Sequence, residues 1–226
     1  MLNLATLKAI DVHTHAEISV RDPQPRSILQ QGAKKYFKHD HENPPTIPEV
    51  AAYYRERSMA CVIFSVDGER ARGIKPVSNE EVAELAAENS DVMIPFASID
   101  PARGAEGVRE ARRLIEHYGV RGFKFHPQYQ EFFPNDRSAY PLYEVIAEAE
   151  LPALFHTGHS GMRSLCTARD VSVSRSACST SARTIRGWRC PWFSDEYALM
   201  QSRYLRPSTS QAQTPSARAI TTGSGE

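Results

Sequence analysis

The stretch LKAIDVHTH, residues 7–15, carries the clearest signal in the sequence. It is a mainly apolar run that ends in two histidines, His13 and His15, separated by one residue. Side chains two residues apart in a β-strand project to the same side, so both imidazoles can face one edge of a sheet and bind a single divalent cation. The spacing therefore predicts a strand over residues 7–13 with a metal-binding pair at its carboxyl end. Two histidines that merely form hydrogen bonds are the alternative.

Apolar and amphipathic segments alternate along the chain as far as residue 157. Four more strands are predicted, each apolar until its carboxyl end, at residues 60–66, 93–99, 120–126 and 152–157. Helices are predicted where apolar side chains recur at helical spacing, at residues 47–58, 79–90, 104–118 and 140–150. This alternation is typical of βα units on a parallel sheet and places the chain in the α/β class.

Composition and charge limit the partners of the chain. Its 226 residues are enough for one large domain, and the formal net charge is zero. Neutrality argues against nucleic acid or an anionic membrane as a partner. The first ten residues, MLNLATLKAI, do not have the pattern of a secretion signal or a membrane span, which predicts a cytoplasmic protein. The four cysteines form no C-x-x-C pair and are predicted to be free thiols.

Polar residues at the ends of the fourth and fifth predicted strands are further site candidates. In LPALFHTGH, residues 151–159, His156 ends an apolar run and can supply a third nitrogen ligand. His159 follows in the loop, as either a substrate contact or a solvent-exposed residue. In GVRGFKFHP, residues 119–127, Lys124 and His126 share one face of the strand. Burying both is costly unless they serve a metal ion, a carboxylate or a substrate anion; a solvated position at the rim is the alternative.

The segment 22–45 interrupts the βα rhythm, because it is rich in Pro, Gly, Lys and His. It follows the first strand, where α/β enzymes carry active-site loops, and is predicted to be a substrate-facing loop or lid. Phe37 in this segment is a candidate substrate contact. His39 and His41 repeat the H-x-H spacing, but no apolar strand supports them, so they are predicted to lie on the surface.

The composition changes sharply after residue 162. Ser, Thr and Arg supply close to half of residues 163–226, lysine is absent, and helical and strand periodicity is lost. We therefore predict a folded region, residues 1–162, and a non-homologous tail, residues 163–226, that is disordered or translated out of frame. An evolved disordered tail is the alternative.

Five motifs together resemble the amidohydrolase superfamily, in particular the branch that contains aminocarboxymuconate semialdehyde decarboxylase and γ-resorcylate decarboxylase. They are IDVHTHA (10–16), IPFASIDP (94–101), GVRGFKFHP (119–127), YPLYEVIAE (140–148) and LPALFHTG (151–158). The resemblance implies a (β/α)8 TIM-type barrel, here incomplete, with strands one to five followed by an irregular tail. It also implies one divalent metal ion, commonly zinc with manganese as the alternative, held by His13, His15 and His156. In the superfamily a histidine on strand six and an aspartate at the end of strand eight complete the site. Neither has a counterpart here, so the catalytic base is unassigned.

These motifs predict a metal-dependent hydrolase acting on a small aromatic or carboxylated substrate, contacted by Lys124, His126, His159 and Phe37. An acyl-CoA thioester is one candidate, since the motifs look most similar to those of hydrolases of aromatic β-ketoacyl-CoA thioesters. Two alternatives stay open: a non-oxidative decarboxylase with the same ligands, and a catalytically impaired barrel fragment whose unpaired fifth strand promotes homo-oligomers. A nucleic-acid binder that uses the tail arginines is disfavoured, because the tail lacks lysine.

Overall fold

The computed structural model describes residues 2–24 and 44–157 of the chain. Within those ranges no helix has the length and apolarity needed to cross a bilayer. The strands are β1 (Ala9–His15), β2 (Met59–Phe64), β3 (Met93–Pro95), β4 (Phe123–Phe125) and β5 (Ala153–Phe155). The α-helices are α1 (Ile47–Glu56), α2 (Glu69–Arg72), α3 (Asn79–Glu88), α4 (Gly104–Tyr118), α5 (Pro127–Gln130) and α6 (Tyr140–Glu148). Two short 3-10 helices lie at Pro101–Arg103 and Arg137–Ala139.

All strand pairs are parallel and follow chain order. β1, β2 and β3 form a three-stranded sheet, and β4 pairs with β5 in a second sheet. A bridge between Ala97 and Phe123 joins the two sheets, and the amide of Lys124 donates to the Ala97 carbonyl at 2.7 Å. The predicted α/β class and parallel order are therefore confirmed. The described residues do not close into a barrel.

The apolar core falls into three clusters, two on the helix-covered face of the sheets and one on the opposite face. The first cluster packs β2, through residues that include Ile63, against α1 and α3. The second packs β4 and β5, through residues that include Phe123, against α4 and α6. The third, on the opposite face, contains Val62, Phe64 and Phe96. Burying a large apolar side chain contributes about 2 kcal/mol, so these contacts fix the helices against the strands and the strand ends in place.

The predicted helices and strands are found, but several of their ends differ. Helices α1, α3 and α6 each end two residues earlier than predicted. Ser58 after α1 and Glu150 after α6 have φ angles of 54° and 55°, and a left-handed residue cannot continue a right-handed helix. β1 begins later than predicted and extends to His15. β4 and β5 are only three residues long, so His126 and His156 directly follow the strands.

Two four-residue helices, α2 and α5, are absent from the sequence prediction, because four residues are too few to show helical periodicity. They connect the loops that follow β2 and β4. The guanidinium of Arg72 on α2 donates to the carbonyls of Gln128 and Tyr129 in α5, at 3.0 and 3.2 Å. Gly68 precedes α2, and a Cβ there would collide with the Tyr129 ring. These contacts hold the segment after β4 close to the end of β2.

Candidate active site

β1 contains a bulge at its first histidine. Asp11 and Thr14 pair with residues of β2 that are two positions apart, so Val12 and His13 together oppose one residue, Val62. A bulge of this kind changes the direction in which the following side chains point. As a result, the side chains of Asp11 and Thr14 contact helix α1. Both histidines of β1 instead contact the ring of Phe64, which lies on the face of β2 that points away from the helices.

His13 and His15 are in direct contact. Their Nε2 atoms are 3.1 Å apart, and their ring centroids lie 5.5 and 4.9 Å from that of Phe64. Burial lowers the pKa of His13 to about 3 and that of His15 to about 4, and the positive charge of Lys124 is the next cause in both. Both imidazoles are therefore neutral at pH 7, which is the form that binds metal ions.

Lys124, His126 and His156 lie at the carboxyl ends of β4 and β5. Lys124 is 0% exposed, and its Nζ lies 5.1 Å from the centroid of the Phe64 ring. This burial excludes the solvated rim position that was the alternative for Lys124. The rings of His126 and His156 are stacked, with centroids 4.0 Å apart and planes 9° apart. The amide of His156 donates to the carbonyl of Phe125 at 2.9 Å, which aligns the two strand ends.

Lys124 and the four histidines at positions 13, 15, 126 and 156 form one group, called here the histidine–lysine cluster. Burial is the main cause that lowers the pKa of His126 to about 2, of His156 to about 4 and of Lys124 to about 7. The charges of His156, Lys124 and His15 lower the pKa of His126 further. The charge of His156 also lowers the pKa of His13. The rings of His13 and His15 and the amine of Lys124 lie against Phe64, and His126 stacks on His156, so the ends of β1, β4 and β5 surround one region.

A family model assigns the chain to a known class of protein. The model of the amidohydrolase family matches residues 10–207. The chain belongs to the amidohydrolase family. No curated protein matches the sequence. The matched range begins within β1 and extends beyond residue 162. The division into residues 1–162 and 163–226 stays a prediction, and residues 158–226 lie outside the described ones.

Solved structures similar to this amidohydrolase chain include three decarboxylases. The 5-carboxyvanillate decarboxylase from Sphingomonas paucimobilis is 14% identical, with a TM-score of 0.49, and the match covers 78% of this chain and 61% of that protein. The 5-carboxyvanillate decarboxylase from Novosphingobium aromaticivorans, with bound manganese, is 13% identical, with a TM-score of 0.44 and coverages of 68% and 52%. Dihydroxybenzoic acid decarboxylase from Polaromonas sp. JS666, with manganese and 2-nitroresorcinol, is 13% identical, with a TM-score of 0.43 and coverages of 76% and 58%. The chain thus spans between 52% and 61% of the length of these proteins.

His13 and His15 fit two ligand positions of a metal ion. Neighbouring nitrogens around a tetrahedral zinc ion are about 3.3 Å apart, close to the 3.1 Å between the two Nε2 atoms. The Nε2 atom of His156 is buried and has no hydrogen-bond partner among the described residues. Within residues 2–24 and 44–157, however, no three His, Cys, Asp or Glu side chains form a group that could hold an ion. The β1 pair therefore fits a metal ion, and His156 as its third ligand stays a prediction.

Five of the seven predicted site residues lie in the histidine–lysine cluster. The other two, Phe37 and His159, lie outside the described residues, so their substrate contacts stay predictions. The sequence prediction missed Phe64, although the alternation of side chains along β2 places it on the face opposite to the helices. It also missed Gln130, whose Oε1 accepts from the His126 amide at 2.8 Å. No local pattern indicates this contact, because it depends on the turn of helix α5.

A polar cavity of about 490 Å³ lies apart from the cluster, against helices α3 and α4. No residue of the cluster lines it. Its charged and polar walls contact one another: Arg103 pairs with Glu110 at 2.6 Å, and the Asn79 amide donates to the Ser98 carbonyl at 3.0 Å. These contacts support helix packing and do not identify a second reaction site. The lining residues include Ser65, Asp67, Asn79, Arg103, Glu110 and Arg113.

Proposed function

We propose that this amidohydrolase chain is a metal-dependent enzyme that removes a carboxylate non-oxidatively from a small aromatic substrate. The observation that carries the proposal is the Lys124 amine. It is fully buried, it has no hydrogen-bond partner among the described residues, and it lies beside the Phe64 ring. A substrate carboxylate would offset the cost of burying this amine, and the ring of Phe64 would contact the aromatic part of the substrate.

The polar groups of the cluster favour decarboxylation over the hydrolysis that the sequence motifs predicted. Hydrolysis needs a base that activates water, and a carboxylate commonly serves. The charges that shift the pKa values of the four cluster histidines come from histidines and Lys124, and no carboxylate contributes. Asp11 is nearby, but its oxygens accept from the His13 amide and the Tyr54 hydroxyl. Among the described residues, the cluster therefore offers the Lys124 ammonium group as a proton donor and no carboxylate base.

Decarboxylation requires a proton at the carbon that bears the carboxylate. Lys124, whose pKa is about 7, can hold that proton in the water-excluded cluster. Once the ring carbon is protonated, the bond to the carboxylate breaks, CO2 leaves, and the bonding electron pair restores the aromatic ring. The reaction is balanced without an oxidant or a reductant.

A divalent ion, zinc or manganese, completes the proposal. His13 and His15 would hold it, with His156 as the proposed third ligand. When bound, it would supply Lewis-acid polarisation of the substrate oxygens. Decarboxylation is also the reaction named for the three similar structures, two of which hold manganese. The acyl-CoA thioester that the motifs suggested becomes the second substrate class to assay.

The test compares CO2 release with ester and thioester hydrolysis on the purified chain loaded with Mn²⁺ or Zn²⁺. The panel contains hydroxybenzoic acids, aryl esters and an aromatic acyl thioester. We expect CO2 from a hydroxybenzoate, reduced about 100-fold in Lys124→Met. Lys75→Met is the matched control, because Lys75 is exposed and pairs with Asp22 at 2.5 Å. Hydrolysis without CO2 release would restore the hydrolase prediction, and no turnover of any kind would favour the impaired fragment.

A further inference from the structure

The bulge in β1 brings a backbone amide into contact with a side chain of its own strand. Val12 and His13 are the two bulge residues, because the register between β1 and β2 shifts between Asp11 and Thr14. The His13 amide donates to Asp11 Oδ1 at 2.9 Å. A buried amide without a partner is costly, so this bond helps to decide where the bulge forms. The carboxylate of Asp11 thus holds the backbone that carries the first metal-binding histidine.

Tyr54 of helix α1 holds this carboxylate from the other side. Its hydroxyl donates to Asp11 Oδ2 at 2.6 Å and lies 3.0 Å from Thr14 Oγ1, which is then the donor to it. Tyr54 is 8% exposed, and burial is the main cause that raises its pKa, so the phenol keeps its proton. One hydroxyl therefore connects the residues at both ends of the bulge. His13 lies between them, and His15 directly follows Thr14.

We propose that Tyr54 is a positioning residue that acts through Asp11 and Thr14 to keep His13 and His15 side by side. This inference rests on the proposed metal site. Without the bulge, strict alternation would turn Asp11 to the same face as His13, and the network with α1 could not form. The Tyr54 hydroxyl stabilises the arrangement in which the two Nε2 atoms are 3.1 Å apart. Its loss allows the bulge to shift, which changes the direction of the His13 side chain and with it the distance between the two Nε2 atoms.

Helix α1 supplies a matched control in the preceding residue. Tyr53 lies on the same helix, but it is 52% exposed and packs under the guanidinium of Arg57. Tyr54→Phe and Tyr53→Phe each remove one hydroxyl and keep the ring. Thr14→Val is a second test variant, since it removes the donor to Tyr54 and keeps a β-branched side chain of similar size.

The experiment titrates the metal-free full chain and each variant with Co²⁺, recording the visible absorption spectrum and the dissociation constant. Circular dichroism melting of the metal-free proteins reports folding. We expect Tyr54→Phe to weaken Co²⁺ binding about tenfold and to change the absorption envelope, because residues that orient ligands control affinity. Tyr53→Phe should bind like the wild type. Thr14→Val should weaken binding in the same direction by a smaller factor.

The outcomes separate this inference from the proposed function. If the wild type binds Co²⁺ and Tyr54→Phe binds it equally well with the same spectrum, the positioning role is wrong and the metal site stands. If the wild type binds no Co²⁺, the metal site and the positioning role fail together. Should Tyr54→Phe fail to fold, Thr14→Val decides the question, and unchanged binding in that variant would overturn the inference.

Discussion

Within the described residues, the polar atoms at the end of β1 have hydrogen-bond partners, whereas several buried polar atoms at the ends of β4 and β5 have none. The His13 amide, the Asp11 carboxylate and the Tyr54 hydroxyl are bonded to one another. In the other region, Lys124 Nζ, Gln130 Nε2 and His156 Nε2 have no hydrogen-bond partner among the described residues. Unpaired buried polar atoms are rare in folded proteins and need a cause. Under the proposed function, β1 would supply the metal-binding pair, and β4 and β5 would supply the groups that a bound ligand satisfies.

The largest expected effect breaks the β1 pair. We predict that His13→Ala lowers bound zinc or manganese from about one ion per chain to background, because a single remaining imidazole of the pair binds weakly. His156→Ala should lower the metal affinity as well, if this residue is the third ligand. Plasma mass spectrometry on the purified chain measures both changes.

The control for this measurement is His117→Ala, because His117 lies on helix α4 with a side chain that is 67% exposed. It should retain the wild-type metal content. Metal that is unchanged in His13→Ala would contradict a site on β1. Metal lost in His13→Ala but retained in His156→Ala would confine the ligands in the described structure to β1 and assign His156 to the substrate.

The second effect concerns Lys124 at the end of β4, where we expect a substitution to increase the stability of the protein. Burial lowers the pKa of Lys124 from 10.5 to about 7, so the unfolded chain binds more protons than the folded one between these values. The free energy of unfolding therefore decreases as the pH falls from 10.5 to about 7, because the unfolded chain takes up the proton first. Lys124→Met removes this cost and the unpaired amine, and should raise the free energy of unfolding at pH 7.5 by about 2 kcal/mol.

Urea unfolding of the ligand-free protein tests this gain. Lys75→Met, at an exposed ion pair, should change the free energy by less than about 0.5 kcal/mol. A destabilised Lys124→Met protein would mean that the amine already has a partner in the folded chain. A stabilised variant without activity would instead identify Lys124 as a residue kept for function at the expense of stability.

The sequence predicted the features that depend on local periodicity. The five strands and their parallel order follow from the βα alternation, and the contact of His13 with His15 follows from the H-x-H spacing. Lys124 was correctly placed on the face of β4 opposite to Phe123, because strand side chains alternate. These features need only a few neighbouring residues for their recognition.

The remaining features depend on contacts between distant parts of the chain. The β1 bulge is defined by its register with β2, and the register cannot be read from β1 alone. Tyr54 reaches Asp11 from a helix 43 residues further along the chain, and an apolar stripe gives no sign of this bond. The stacking of His126 on His156 likewise arises when β4 and β5 pair. The sequence pattern could therefore identify candidate site residues but could not show the contacts that fix their positions.

The smallest expected effect sharpens the comparison through pH. Burial, followed by the charges of His156 and Lys124, lowers the pKa of His126 from 6.5 to about 2. The unfolded state therefore binds the extra proton below pH 6.5, and the stability present above that pH is lost as the pH falls toward 2. Each pH unit below 6.5 lowers the free energy of unfolding by about 1.4 kcal/mol. His126→Asn removes the titration and retains an acceptor for the Tyr129 amide, which donates to His126 Nδ1 at 3.2 Å.

We predict that the loss of unfolding free energy between pH 7.5 and pH 5.5 is about 1.4 kcal/mol smaller in His126→Asn than in the wild type, both measured metal-free in EDTA. His117→Asn, at an exposed position, should lose as much as the wild type. Equal losses in all three proteins would mean that His126 is hydrated in the folded chain. The β4 and β5 ends would then be open to water, and the unpaired Lys124 amine would no longer require a substrate carboxylate.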